Sequence, residues 1–420
     1  MLAGAAWGAD TYADLFQQAA AYSQHGEYAK AIDKYKAALA MHPGAPEALN
    51  NLAVMYYETR QYAEALDTAG EVWEQHPELR SAALIAGMAA VQCNRPSEAI
   101  RPLERLLGED PSNRDALLAL ASAHLALKDF EAAAEAWERE VQLKPDDSKA
   151  WYGLAICYET MAEEASRKLS KMPGGGGYSK RLLGEYLQSI GDAKLAQEAF
   201  GQENAAESNA EAAKQYELAR KLADKSRNAF EQFVNLAPDS WQAALFLGDV
   251  DRQHGDLTSA LKHYKAAARA QPEDAAPLLG LGTAYWELGE FDQATASLHH
   301  ALQLNPKSQQ AIFELANIAV RRHQDAEAIP LLKQYLAGQP DALAAHADLG
   351  RAYFHLKQYK DAEPELAKAA EADESGDIHY ELSIALRKLG RAEEADEALK
   401  QSSAIREAQL KKAQRLRANE

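Results

Sequence analysis

A chain of 420 residues has room for two or three globular domains or one solenoid of repeated units. Its composition, 47% hydrophobic and 26% charged, is that of a folded protein, and abundant Ala with sparse Val and Ile favours helix over sheet. A net charge of −18 argues against a general nucleic-acid binder, because phosphate recognition needs basic surface, and it suits a basic partner.

The N-terminal residues 1–11 are apolar and short, with no basic start. They read either as the remnant of a secretory signal, with Ala6-Trp7-Gly8 as a small-x-small cleavage site, or as an unstructured leader. The first reading slightly favours a bacterial periplasmic or secreted protein, with a cytoplasmic one as the alternative. No run of 18 apolar residues occurs, so no membrane span is expected. Cys93 and Cys157 have no metal or dithiol spacing and read as small core residues.

Residues 12–161 carry a repeat whose register is set by proline. Pro43, Pro77, Pro111 and Pro145 are each 34 residues apart. Each stands just past a predicted helix end, where proline cannot continue the helix. Within each unit a helix is followed by a turn residue and a second helix. Gly26 turns the first unit, Arg60 replaces glycine in the second, and Asn94 takes the turn in the third. The fifth unit begins at residue 148 with Trp151, Leu154, Ala155 and Tyr158, and then fails to turn. Pro145 to Pro238 spans 93 residues, 59 more than one repeat.

The interruption is assigned to a helical insertion over 162–220 containing the flexible Gly174-Gly175-Gly176-Gly177. Leu183, Gly184, Leu187, Gly191, Ala196 and Phe200 predict a degenerate extra hairpin, and Ala205–Val234 a long helix. A phosphate-binding loop is rejected, because no strand precedes the glycines and the order Gly177-Tyr178-Ser179-Lys180 is wrong for one. The repeats resume over 221–401, with Pro238, Pro272, Pro306 and Pro340 again 34 apart. Residues 402–420 carry Arg406, Lys411, Lys412, Arg415 and Arg417 and read as a basic capping helix, or as a docking helix for an acidic surface.

The clearest copy is Ala275–Pro306. Leu278, Leu281, Gly282 and Tyr285 share one helical face. Gly289 breaks the helix, Phe291 follows, and Ala294, Leu298 and Ala301 mark the next face before Pro306. This pattern resembles the tetratricopeptide repeat, an antiparallel helix pair of about 34 residues. The resemblance covers about ten units. It implies an all-α, right-handed superhelical solenoid with one helical insertion, in which the first helices line a concave groove.

By that family geometry the non-core residues of the first helices are the candidate site. They include Asn51, Tyr57, Leu84, Met88, Tyr152 and Ile156 in the early units, and Phe246, Arg252, Leu279, Trp286, Phe313, Asn317, Arg351 and Phe354 in the later ones. That set is more apolar than a solvated face requires, which points to a partner site. Some relatives grip a partner's terminal carboxylate with Lys and Asn; the matching places here hold Phe16, Ala20 and Asn51, so only Asn51 fits. Asn51 also stands alone where other relatives carry an asparagine ladder.

No catalytic or metal constellation is found. The adjacent His299 and His300 point to different helix faces, and Glu163-Glu164 reads as solvated. The expectation is therefore a non-enzymatic scaffold without cofactor or metal. It would bind a peptide or helical segment of a protein partner, with self-assembly of the solenoid as the alternative.

Overall fold

The computed structural model describes residues 10–189, 193–201 and 209–418, with side chains for 10–188, 193–201 and 209–411. The chain divides into two compact units, Met1–Pro238 and Asp239–Glu420. Among the described residues every regular element is helical.

The first unit contains α1 (Tyr12–Gln24), α2 (Tyr28–Met41), α3 (Pro46–Glu58), α4 (Tyr62–Gln75), α5 (Arg80–Gln92), α6 (Pro96–Glu109), α7 (Arg114–Ala126) and α8 (Phe130–Leu143). It continues with α9 (Ser148–Lys171), α10 (Gly175–Ser189), α11 (Ala193–Gly201) and α12 (Ala210–Leu236). The second unit contains α13 (Trp241–Gln253), α14 (Leu257–Ala270), α15 (Ala275–Glu287), α16 (Phe291–Leu304), α17 (Gln309–Arg321) and α18 (Asp325–Gly338). Its last helices are α19 (Leu343–His355), α20 (Tyr359–Ala369), α21 (Asp377–Lys388) and α22 (Ala392–Ala418).

The helices start where the sequence offers a cap. Ser240, Asp274 and Ser308 recur at the repeat step, and each side chain accepts a hydrogen bond from a backbone N–H two or three residues on. Such a cap stabilises by about 1 kcal/mol. Within the hairpins the first helix ends on a residue of positive φ. At Gly26, Gly255, Gly289 and Gly390 glycine occupies it, with φ of 72°, 78°, 77° and 80°. At Arg60, Asn94, Lys128, His323 and Lys357 a side-chain-bearing residue takes the same conformation, with φ of 56° to 61°.

Packing within and between hairpins relies on small residues at fixed steps. Ala31, Ala65, Ala99 and Ala133 in the first unit, and Ala260, Ala294, Ala328 and Ala362 in the second, are all fully buried. Only a methyl group fits where two helices approach so closely. Gly282 goes further: a Cβ there would lie 2.5 Å from Cδ2 of Leu298, itself fully buried.

The insertion changes repeat five without breaking it. Ala162 stands where the other units place their turn residue, and helix-forming residues follow it, so α9 runs on for 24 residues. The first left-handed residue beyond it is Gly174, at φ 74°. The chain returns as α12, 27 residues long, whose second half packs Phe230 and Phe233 as a second repeat helix. Its first half pairs with the extension of α9, where Leu169, Ala212 and Tyr216 form a small core joined by Tyr178 and Leu182 of α10. The two long helices are tied by side chains reaching backbone: Gln215 Nε2 donates to Ala165 O at 3.1 Å, and Ser226 Oγ to Ala155 O at 3.3 Å. The predicted extra hairpin is α10 and α11, pressed together where Gly184 meets the Phe200 ring. Residues 202–208, at the predicted start of the long helix, and Gly191 lie outside the described residues.

Cys157 is buried, and burial pushes its thiol up to about 11. Cys93 is only half-buried, capping the end of α5.

Candidate functional site

All fourteen candidate residues are half-buried, neither sealed in the core nor fully solvated. They do not converge on one point. They are spread over the first helices of successive hairpins, and the two units present faces of different chemistry.

In the first unit the face is largely apolar. Leu84 on α5 and Tyr57 on α3 pack at the edge of the buried core, and Tyr57 meets Tyr62 at 5.4 Å between ring centroids. Burial raises the Tyr57 hydroxyl above its ordinary range. Met88 and Ile156 occupy equivalent places two repeats apart. Asn51 is engaged internally, its Nδ2 donating to the Tyr35 hydroxyl at 3.2 Å. Tyr152 turns its ring onto Phe233 and Phe230 of α12, at 5.0 and 6.4 Å, so it serves the hairpin as well as the face.

In the second unit apolar anchors alternate with charge. Leu279 and Trp286 on α15 lie against the Ala294–Leu298 core. Phe313 on α17 stacks on Tyr335 at 4.5 Å, Phe354 on α19 meets Tyr359 at 5.9 Å, and Phe246 and Asn317 sit half-buried on α13 and α17. The guanidinium of Arg321 lies 5.3 Å from the centre of the Trp286 ring, a cation–π contact.

Each hairpin in this unit is joined to the next by polar side chains. Arg252 donates to Glu287 at 2.8 Å, Thr283 to both Glu314 oxygens at 2.8 and 3.0 Å, and Arg351 to Glu381 at 3.1 Å. Arg252 also reaches the buried Tyr264 hydroxyl, which donates to Asp249 at 2.7 Å. The sequence reading found Arg252 and Arg351 but missed their acidic partners. The available signal, for Arg351, was a carboxylate recurring nine residues before the turn, as Glu314, Asp348 and Glu381, on a face otherwise read as apolar. Burial holds Asp249, Glu314, Asp348 and Glu381 above the usual carboxylate range, and the nearby arginines only partly offset it.

A separate groove of about 900 Å³ lies between α8, α9 and α12, lined by Trp151, Leu154, Tyr158, Lys221 and Lys225 among others. At its wall Lys225 donates to Glu138 at 2.9 Å and to the Tyr158 hydroxyl at 3.1 Å, while Tyr158 donates to Glu138. Burial pushes Tyr158 up to about 12, and the bond to Glu138 raises Lys225. Tyr158 therefore stays protonated, Lys225 charged and Glu138, which accepts from both, ionised at neutral pH. Among the described residues no group of three His, Cys, Asp or Glu side chains is placed to hold a metal ion, and no helix is long and apolar enough to cross a membrane.

Two sequence profiles, each described as tetratricopeptide repeat, match the chain. One covers residues 16–79, 86–148, 129–162 and 215–275, and the other 251–315 and 321–375. The chain belongs to the tetratricopeptide repeat family. The repeat is all-α, as the helical hairpins here are, and it makes the chain a protein-interaction scaffold of that class.

Among relatives, mouse Superkiller complex protein 3 is 24% identical over 294 residues, covering 65% of this chain and 19% of that protein. The Vi polysaccharide export protein VexE of Salmonella typhi is 30% identical over 147 residues, covering 34% of this chain and 22% of that protein. The chain thus spans about a fifth of the length of either relative. Solved tetratricopeptide structures align over part of it. MamA from Desulfovibrio magneticus RS-1 gives a TM-score of 0.37 at 23% identity, covering 40% of this chain and 96% of that one. YrrB, titled a TPR protein with an unusual peptide-binding site, gives 0.39 at 18%, covering 42% and 92%.

Proposed function

We propose that the first-helix faces bind an extended or helical segment of a partner protein, without catalysis. The observation that carries this reading is the run of half-buried apolar side chains on those faces, with Leu84, Met88, Ile156, Leu279, Trp286 and Phe354 only partly used by the chain's own packing. Apolar surface left in a row on a folded protein lowers its free energy by meeting a partner. The name of one relative, Superkiller complex protein 3, supports a scaffold role.

The test compares partners retained by the wild-type chain and by M88A and W286A variants on an affinity matrix. Loss of specific partners, with helical content unchanged by circular dichroism, is expected. Identical partner sets from all three proteins would refute the assignment of these faces. Concentration-dependent sedimentation of the purified chain separates partner binding from self-assembly, since only the latter builds larger species without a ligand.

A further inference from the structure

We propose that the first-helix face of the second unit selects a basic, extended segment, with cations at every third residue entering between Glu314, Asp348 and Glu381. This rests on the reading that the face is a binding surface, and it adds the chemistry of what is bound.

Some of the charges on that face are already paired. Its arginines are Arg252, Arg321 and Arg351, with Arg387 on α21 paired to Asp396 of its own hairpin. Arg252 is engaged by Glu287 at 2.8 Å and Arg351 by Glu381 at 3.1 Å. Arg321 lies over the Trp286 ring. Asp348 stands 3.8 Å from the same Arg351 guanidinium, an ion pair too long for a hydrogen bond, so Asp348 and Glu381 share one cation. Glu314 accepts only from the neutral Thr283 and Gln310, and Asp249 from Tyr264, with no cation at ion-pair distance among the described residues. Glu314 has no cation, and Asp348 and Glu381 have one guanidinium between them, so the face holds more half-buried carboxylate charge than its own arginines neutralise. A half-buried carboxylate without a cation is costly, and an incoming Lys or Arg would repay that cost. Burial raises Glu314 and Asp348 above the usual carboxylate range, and the nearby arginines offset it only in part.

Spacing sets the register. Glu314, Asp348 and Glu381 hold the same place on α17, α19 and α21, each nine residues before the left-handed turn residue of its hairpin, His323, Lys357 and Gly390. Packed helix axes are about 10 Å apart. A chain in the extended polyproline II conformation rises about 3.1 Å per residue with three residues per turn, so about three residues carry it from one helix to the next and side chains at i, i+3 and i+6 lie on one face. Cations at i, i+3 and i+6 would then meet the three carboxylates in turn. The half-buried Phe313 and Phe354 give the intervening residues apolar ground.

The experiment titrates the full chain with a fluorescent peptide of four Lys-Ala-Ala repeats, at low salt near neutral pH. Controls are the Glu-Ala-Ala peptide, a peptide with lysine at every fourth residue, and an uncharged Leu-Ser-Ala peptide. The Lys-Ala-Ala peptide is expected to bind best, to weaken with salt, and to lose about fivefold to tenfold in affinity in E314Q and again in D348N. Equal binding to those variants would show general attraction to an acidic protein and overturn the proposal. Preference for the fourth-residue spacing would overturn the register. If only the Leu-Ser-Ala peptide binds, and W286A abolishes it, the binding surface stands and its basic selectivity falls. If no peptide binds and the unliganded chain is a dimer that E314Q dissociates, the occupant is a second copy and the proposal is likewise overturned.

Discussion

Three exposed turn residues, Arg60, Lys128 and Lys357, adopt the left-handed conformation that glycine adopts at equivalent turns, with φ of 60°, 61° and 58°. An L-residue there costs about 1–2 kcal/mol through the contact of Cβ with the following carbonyl. Glycine removes that contact but loses about 0.5–1 kcal/mol through the greater freedom of its unfolded chain. The net gain expected is about 0.5–1 kcal/mol for each substitution. None of the three side chains makes a hydrogen bond or ion pair among the described residues, so little is lost with it. Arg60→Gly and Lys128→Gly lie two repeats apart and share no partner, so their effects should add to about 1–2 kcal/mol. In a unit of this size that raises the melting temperature by a few degrees, read by circular dichroism. Gly289→Ala is the mirror test. A Cβ at Gly289 meets nothing within 4 Å, so backbone strain alone should destabilise the second unit by a similar amount. A neutral or destabilised R60G/K128G protein, or a stabilised G289A protein, would refute the account of these turns.

Two further outcomes follow from the packing and the charges. Gly282→Ala would press a methyl group into the Leu298 side chain at 2.5 Å, and a loss of about 1–3 kcal/mol is expected in chemical denaturation. Glu314→Gln should stabilise the second unit at neutral pH. Burial raises the Glu314 carboxyl in the folded state, so the folded protein binds more protons than the unfolded one between the two protonation equilibria. Stability from this group is thus greatest under mild acid and falls as pH rises through the folded-state value. Melts from mild acid to neutral pH should show that fall in the wild type and a shallower one in E314Q, and identical pH dependence in the two would refute it.

The repeat was legible because it is written in residues with strong local consequences. Prolines past the helix ends, a glycine at several turns and small residues at a fixed step each act on the backbone within a few positions. The failure to turn after Tyr158 was legible for the same reason: Ala162 and its neighbours offer the helix no stop. The turns at Lys128 and Lys357 were not read, because lysine carries no local preference for the left-handed conformation that the repeat imposes on it. The acidic partners of Arg252 and Arg351 were missed for a different reason. Each bond joins helices of adjacent repeats, about 30 to 35 residues apart, as from Arg252 to Glu287 and from Arg351 to Glu381. A search for pairs within one helix turn cannot see them. Nor could it see that Tyr152 would be shared with Phe230 and Phe233, which follow it only after the insertion.

The long pairing of α9 with α12 also bears on how the first unit folds. The hairpin of α3 and α4 closes over the three residues between Glu58 and Tyr62, whereas α9 and α12 are separated by 38 residues. Loop entropy rises with the logarithm of length, so bringing these two helices together costs about 2 kcal/mol more than closing a short turn. The hairpins before it form from near neighbours, and α9 can dock on α8 without waiting for its partner. The fifth repeat is then the slow joint of an otherwise local chain, completed when α12 returns to cover a helix that is already in place.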